Sequence, residues 1–373
     1  MTLPKNDTVA ARQIAFFAAF VLPVYKLLEV PSLLARYAQG DLLLPALAHF
    51  LLQTGVLVAL LAAAAGSEKT LFERLNEKFG KLARIFYIGY AVYFLFAAVL
   101  PLLDLEKFVY AAFYDTSPTL FSFAFFFLFC AFVCTKGIKS VGRIADLSLF
   151  LFLLPFVLLL VMSLFEADAS NLLPIFQQDL SHSAKAFTYT LPHFSDAALL
   201  LPLIGNLRFK RGDGKKIVGG YLVGAVCVLV FLGVFYGVYS AIAPREHYAF
   251  SKIAQYFPAL SVVGRVDLLL VYMLCIVLFF AVGAPLLYTT DFLAVSIRTE
   301  RKTLLSAAVC FAAFLFVLYM NKYYDSVYAL VAGKLYPLFL LFADLLPLAF
   351  LFLRERKNGE RTGRKRIKEN ENA

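Results

Sequence analysis

The stretch Ala11–Tyr37, ARQIAFFAAFVLPVYKLLEVPSLLARY, constrains the chain most. It is apolar enough to cross a bilayer, yet it holds Pro23, Lys26, Glu29 and Pro31 within the apolar run. The residues between Arg12 and Arg36 would span about 35 Å as a helix, enough for a hydrocarbon core of roughly 30 Å. An ionisable side chain near the centre of such a helix costs about 2.5–3.5 kcal/mol, so two of them need partners. Pro23 cannot donate to the carbonyl of Ala19, nor Pro31 to that of Leu27. Carbonyls freed in this way are tolerated only where they line a cavity or are buried in protein. The stretch therefore reads as an interrupted helix beside a polar site, the device that transporters use to build substrate sites. Lys26 and Glu29 lie three apart on one helical face, so a neutralising structural pair and a functional pair are both open.

Composition agrees with a bilayer environment. The chain has 373 residues, 61% hydrophobic and 16% charged, where soluble domains average about 25% charged. Period-two patterning is absent, which argues against a β-barrel. The first apolar run continues through Lys26 with no small-residue cleavage site, so a cleavable signal is not expected. Ten candidate spans are read at about 12–36, 42–65, 83–103, 117–135, 143–164, 184–208, 216–243, 266–297, 303–321 and 328–353. The expected fold is thus an all-α membrane protein of ten transmembrane helices, residues 1–353, with a basic and disordered cytoplasmic tail at 354–373.

Charge placement fits that count. With the N-terminus cytoplasmic, 26 Lys and Arg fall on the inner side and 8 on the outer, Lys26 lying within a span, which accounts for all 35. This is the positive-inside asymmetry. The net charge of +10 is spread over alternating short loops and the tail, a distribution that argues against nucleic acid and suits an anionic lipid surface. Thr70–Leu82 is amphipathic, with Leu71, Leu75 and Phe79 on one face, and is expected to lie along the inner surface. The long outer loop at 244–263, with Tyr248, Phe250, Ile253, Phe257 and Leu260, is read as an interfacial helix. The five cysteines Cys130, Cys134, Cys227, Cys275 and Cys310 sit in apolar segments without ligand partners at metal spacing, and read as packing residues.

Segment six repeats the theme of segment one. KAFTYTLPHFSDAALLLPLIGNLRF carries Pro192, His193, Ser195, Asp196 and Pro202. If the spans form two sets of five (repeat one about 8–165, repeat two 184–353), segments one and six are equivalent, and the odd spacing inverts the second set. Paired, Pro-interrupted, charge-bearing segments in corresponding positions point to a transporter-like site. Other embedded polar groups are Asp344 and Asp291, His49 and Gln53 on one face of segment two, and Tyr87, Tyr90 and Tyr93 on segment three. Interhelical hydrogen bonding is the plain reading of these. No histidine pair at ligand spacing, nucleophile elbow or glycine-rich phosphate loop is present, so neither an enzyme nor a cofactor is expected.

The order of several blocks resembles the spore-germination permease family, the B-subunit of nutrient germinant receptors, within the amino acid–polyamine–organocation transporter superfamily. The blocks are RQIAFF, VPSLLARYAQGDLLLPALAHFLL, LDLEKF with DTSPTLF, KGIKSVGRIADLSLFLFLLPFVLLL, NLLPIF, FSDAALLLPL and VVGRVDLLLVYM. The resemblance implies a five-plus-five inverted repeat with interrupted helices one and six, and a ligand site between them flanked by helices three and eight. It also implies a small nutrient ligand such as an amino acid, partner receptor subunits, and residence in the cytoplasmic (spore inner) membrane with both termini inside. A competing expectation is a proton-coupled permease for an amino acid or other small solute. Asp196 stands where relatives carry glutamate, and Pro23-Val24-Tyr25-Lys26 stands where they carry glycine. The Tyr25 and Lys26 side chains there would shrink or recharge the pocket, and Lys26 could take the place of a bound cation or pair with Glu29 or Asp196. The candidate binding or coupling residues are Pro23, Tyr25, Lys26, Glu29, Tyr90, His193, Ser195, Asp196 and Asp344.

Overall fold

In the computed structural model, the described residues are 9–65, 69–99, 101–103, 119–173, 176, 178–246, 249 and 267–353. The outer-loop helix expected over 244–263 and the tail at 354–373 lie outside them, Ala249 and the few residues through Glu246 excepted.

The described parts of the ten apolar segments are mostly helical, with breaks in segments one and six. Segment one is two helices, α1 (Ala11–Tyr25) and α2 (Val30–Ala38), separated by four residues. Next come α3 (Leu43–Ala64), the short α4 (Leu71–Phe79), α5 (Ala83–Ala97), α6 (Thr119–Cys134) and α7 (Ile138–Leu164). Segment six is again broken, into α8 (Leu180–Thr190), a 3-10 turn (Leu191–Phe194) and α9 (Asp196–Gly205). The chain continues through α10 (Asp213–Tyr239), α11 (Asp267–Ile297) and α12 (Lys302–Tyr328). The final segment alternates π and α turns: π at Ala329–Lys334, α13 (Tyr336–Phe339), π at Leu340–Leu345, and α14 (Leu346–Ala349).

Among the described residues, five helical stretches are long and apolar enough to cross a membrane, and up to seven if each of two bent pairs counts as one span. The protein is therefore an integral membrane protein. Both breaks foreseen from the prolines are real, with one shift of position. Helix α1 runs past Pro23 to Tyr25, and the break falls at residues 26–29. Pro31 sits at the start of α2, where its missing N–H costs nothing.

Helix α1 is the central rod. It packs most extensively on α10, and also on α7, α11 and α9. The α1–α10 crossing is close because Gly220 faces the Ala15 backbone; a Cβ there would strike the Ala15 carbonyl. Helix α4 is fixed by a capping box, in which Thr70 Oγ1 accepts from the Glu73 N–H and the Glu73 carboxylate accepts from the Thr70 N–H. Leu71 and Leu75, on the apolar face read from the sequence, are buried together with Phe72. Phe79 is 45% exposed, while Arg74 is buried and donates to the carbonyls of Ala63 and Ala64 at 2.7 and 3.2 Å. Those carbonyls end α3, so a cation there satisfies orphan acceptors and complements the helix dipole. Phe72 fills the space beneath Gly205, locking α4 under the end of α9.

The last span explains its own irregularity. Pro337 and Pro347 begin α13 and α14, and neither has an N–H for the turn before it. In the first π stretch the Leu335 N–H donates to Leu330, five residues back. In the second, Pro347 can serve neither Ala343 nor Phe342, and the Tyr90 hydroxyl donates to the Phe342 carbonyl at 3.0 Å. Neighbouring side chains commonly rescue carbonyls freed by proline in this way.

Candidate functional site

The two breaks meet through one ion pair. Lys26 follows the C-terminal end of α1, and Asp196 is the first residue of α9. Lys26 Nζ lies 2.5 Å from Asp196 Oδ1, with the two side chains 0% and 1% exposed. Local helix electrostatics favour both ends. A cation at a helix C-terminus and an anion at a helix N-terminus each meet the dipole end of opposite sign. The aspartate's second oxygen accepts from the Tyr221 hydroxyl of α10 at 2.8 Å. Phe194 and Phe50 wall the ammonium, their ring centroids 5.0 and 5.9 Å from Nζ. Of the pairings open to Lys26 from sequence, the one with Asp196 is formed.

Above the pair sits a three-ring stack. His49 of α3 lies flat between Phe187 at 3.9 Å and Phe194 at 4.3 Å, with interplanar angles of 7° and 6°. Its Nε2 is 3.0 Å from both the Phe187 carbonyl and the Thr190 hydroxyl. The stack thus ties α3 to the end of α8 and to the 3-10 turn. His193, in the same turn, is buried. Ser195 has φ −90° and ψ 44°, outside the helical region, and its hydroxyl donates to the Pro192 carbonyl at 3.3 Å.

One turn along α3, Gln53 joins two further elements. Its Oε1 accepts from the Ala197 N–H, an orphan donor in the first turn of α9, at 3.0 Å. Its Nε2 donates to Asp344 Oδ1 in the second π stretch at 2.6 Å. Asp344 Oδ2 is buried without a hydrogen-bond partner among the described residues. The span-one break, α9, α10, α3 and the last span are thereby connected through five polar side chains: Lys26, Asp196, Tyr221, Gln53 and Asp344.

The sequence candidates divide accordingly. Lys26, Asp196, His193 and Ser195 lie at the breaks, and Asp344 reaches α9 through Gln53. Glu29 is buried at the start of α2, where its carbonyl accepts from the Ser32 hydroxyl. Tyr90 is turned toward the last span rather than toward the pair. The side chains of Pro23 and Tyr25 lie outside the described residues. Tyr221 was missed because a tyrosine in a glycine-rich apolar helix carries no local signal. His49 and Gln53, four apart on an apolar helix, did carry one: two buried polar groups on one face need partners.

The comparisons with known proteins follow from this geometry. The structure is similar to the crystal structure of a manganese transporter mutant from Eremococcus coleocola, with a TM-score of 0.53 and 13% identity. The match covers 93% of this chain and 81% of the transporter chain, and shows the fold alone. No curated protein matches the sequence. The family model for spore germination proteins matches residues 42–325, and together with the transporter fold it makes this a permease-like membrane protein. With well over half its length matched, the chain belongs to the spore germination protein family.

Proposed function

We propose that the protein is a germinant-receptor subunit that binds a small nutrient, such as an amino acid, between its two helix breaks and passes the change to partner subunits in the membrane. It does so from a ten-span, five-plus-five inverted fold in the spore inner membrane, with both termini cytoplasmic and no catalytic step. The observation that carries this reading is the fully buried Lys26–Asp196 pair bridging the breaks. The pair supplies a cation and an anion side by side, the two charges that an amino acid's carboxylate and ammonium would seek. No solvent reaches either group, so a ligand can engage them only by parting them. Parting them displaces α9 relative to α1. Tyr221 carries that displacement to α10, and Gln53 carries it to α3 and to Asp344 in the last span. A ligand shifts such an equilibrium only by its differential affinity for the opened state, and two exchanged charge contacts provide that difference. The test is germinant response in spores carrying Asp196→Asn. Response should be lost while the protein stays in the membrane, and an unchanged response removes Asp196 from the site.

A second reading, a proton-coupled solute permease, draws on Asp344. Lys26 contacts Asp196 and is linked through Gln53 to a second buried aspartate, Asp344, whose Oδ2 has no hydrogen-bond partner among the described residues. A proton on that oxygen would neutralise the carboxylate. Concentrative uptake of an amino acid by partner-free proteoliposomes, driven by an imposed proton gradient and lost in Asp344→Asn, would establish this reading over the pure receptor.

A further inference from the structure

We propose that a groove beside α4 is a binding site for an anionic phospholipid, independent of the ligand site above. The groove encloses about 260 Å³. Its walls come from Leu75 and Phe79 of α4, Leu82 just before α5 and Phe86 within it, and Leu346, Ala349 and Phe352 at the end of the last span. All are apolar, so a hydrocarbon chain is the occupant the walls accept.

The rim has the opposite character. Lys78 and Lys81 are exposed and Arg84 is half-buried; each neighbours a wall residue in sequence or by one helical turn. Lys78 Nζ donates to the Phe352 carbonyl at 2.9 Å, which holds one cation at the mouth of the groove. An ammonium has three donors, so two remain for a second acceptor. The acids closest in sequence are engaged elsewhere. Glu73 closes the capping box, and Glu77 accepts from Lys69 at 2.7 Å. An apolar slot with Lys78 at its mouth, and Lys81 and Arg84 adjoining its wall residues in sequence, matches the polarity of a phospholipid carrying a net negative head group. Basic clusters beside the ends of membrane helices recognise such lipids by this combination. A zwitterionic lipid would fill the slot equally well but leave the rim cations without a counter-charge. A protein helix would need a longer groove.

The test uses the full-length protein in neutral detergent, with lipid retention read by native mass spectrometry and stability by thermal melting. Phosphatidylglycerol should be retained at least tenfold more than phosphatidylcholine and should raise the melting temperature. Lys81→Gln with Arg84→Gln should bring retention down to the phosphatidylcholine level. Lys81→Gln alone, at an exposed position that leaves the fold intact, should reduce it in part. Ala349→Leu, which fills the slot and leaves the rim charges in place, should reduce retention of both lipids. Equal retention of the two lipids overturns the proposal. So does a melting shift reproduced by inorganic phosphate alone, or unaltered retention in the rim variants.

Discussion

Consider removing the charge of Lys26 by Lys26→Met. The pair lies at 2.5 Å with both side chains out of water. At an effective dielectric of about 20, the Coulomb attraction at that distance is roughly 7 kcal/mol. Taking each ion out of water costs several kcal/mol, so the intact pair is close to neutral for stability. Removing one partner is another matter, because it leaves the other charge buried alone, which typically costs 3–5 kcal/mol. Asp196 in the variant keeps the Tyr221 hydroxyl but loses its counter-charge. At about 2 °C per kcal/mol for a chain this long, the melting temperature should fall by roughly 6–10 °C. Asp196→Asn, which preserves an acceptor for Tyr221, should cost a similar amount through the stranded lysine. The double variant Lys26→Met/Asp196→Asn should recover most of the loss, giving a coupling energy of at least about 2 kcal/mol in a double-mutant cycle. The assay is thermal or denaturant unfolding of the four proteins in one detergent. Single variants within 1 kcal/mol of the parent, or losses that simply add, would refute the claim that the pair is a coupled, desolvated unit.

Three further outcomes are expected. Gln53→Leu strands both the Ala197 N–H and Asp344 Oδ1, and should lower stability by about 2–3 kcal/mol, while Gln53→Glu should recover only the α9 contact; unfolding midpoints decide it. Gly220→Ala drives a methyl into the Ala15 carbonyl at the α1–α10 crossing, and should cost about 1–3 kcal/mol in the same assay, whereas Gly219→Ala, in open space, should cost almost nothing. Asp41, buried, accepts from the backbone N–H groups of Phe176 and Gln178 at 2.7 and 2.9 Å, so Asp41→Ala should speed amide exchange at those two positions and leave α3 protected.

The two breaks were legible because proline and charge inside an apolar run have few physical outlets. Pro23, Pro31 and Pro192 foretold interrupted helices, and Lys26 and Asp196 foretold that the interruptions would hold polar groups. Which of the open pairings would form was not legible. Glu29 and Asp196 were both available to Lys26 on charge alone, and the contact with Asp196, 170 positions away, depends on how the two breaks are brought together. The irregular last span was open to a reading that was not made. Pro337 and Pro347 stand ten residues apart in an otherwise unbroken apolar run, and the two π stretches precede them. In α4 periodicity placed Leu71 and Leu75 inward, and both are buried; that Arg74 is buried beside them was not legible, because its acceptors are the carbonyls that end α3, a tertiary demand.

The π stretch at Leu340–Leu345 has a consequence for how the last span tolerates change. A π turn accommodates one residue more than an α turn, so this span carries a surplus residue wound in beside Asp344. Deleting one amino acid between 340 and 343 would remove that surplus and return the coil to ordinary pitch, with the facing of Asp344 and everything beyond it nearly kept. The same deletion in α10, a regular helix without such slack, would swing the remainder of that helix by about a quarter-revolution and scatter its contacts.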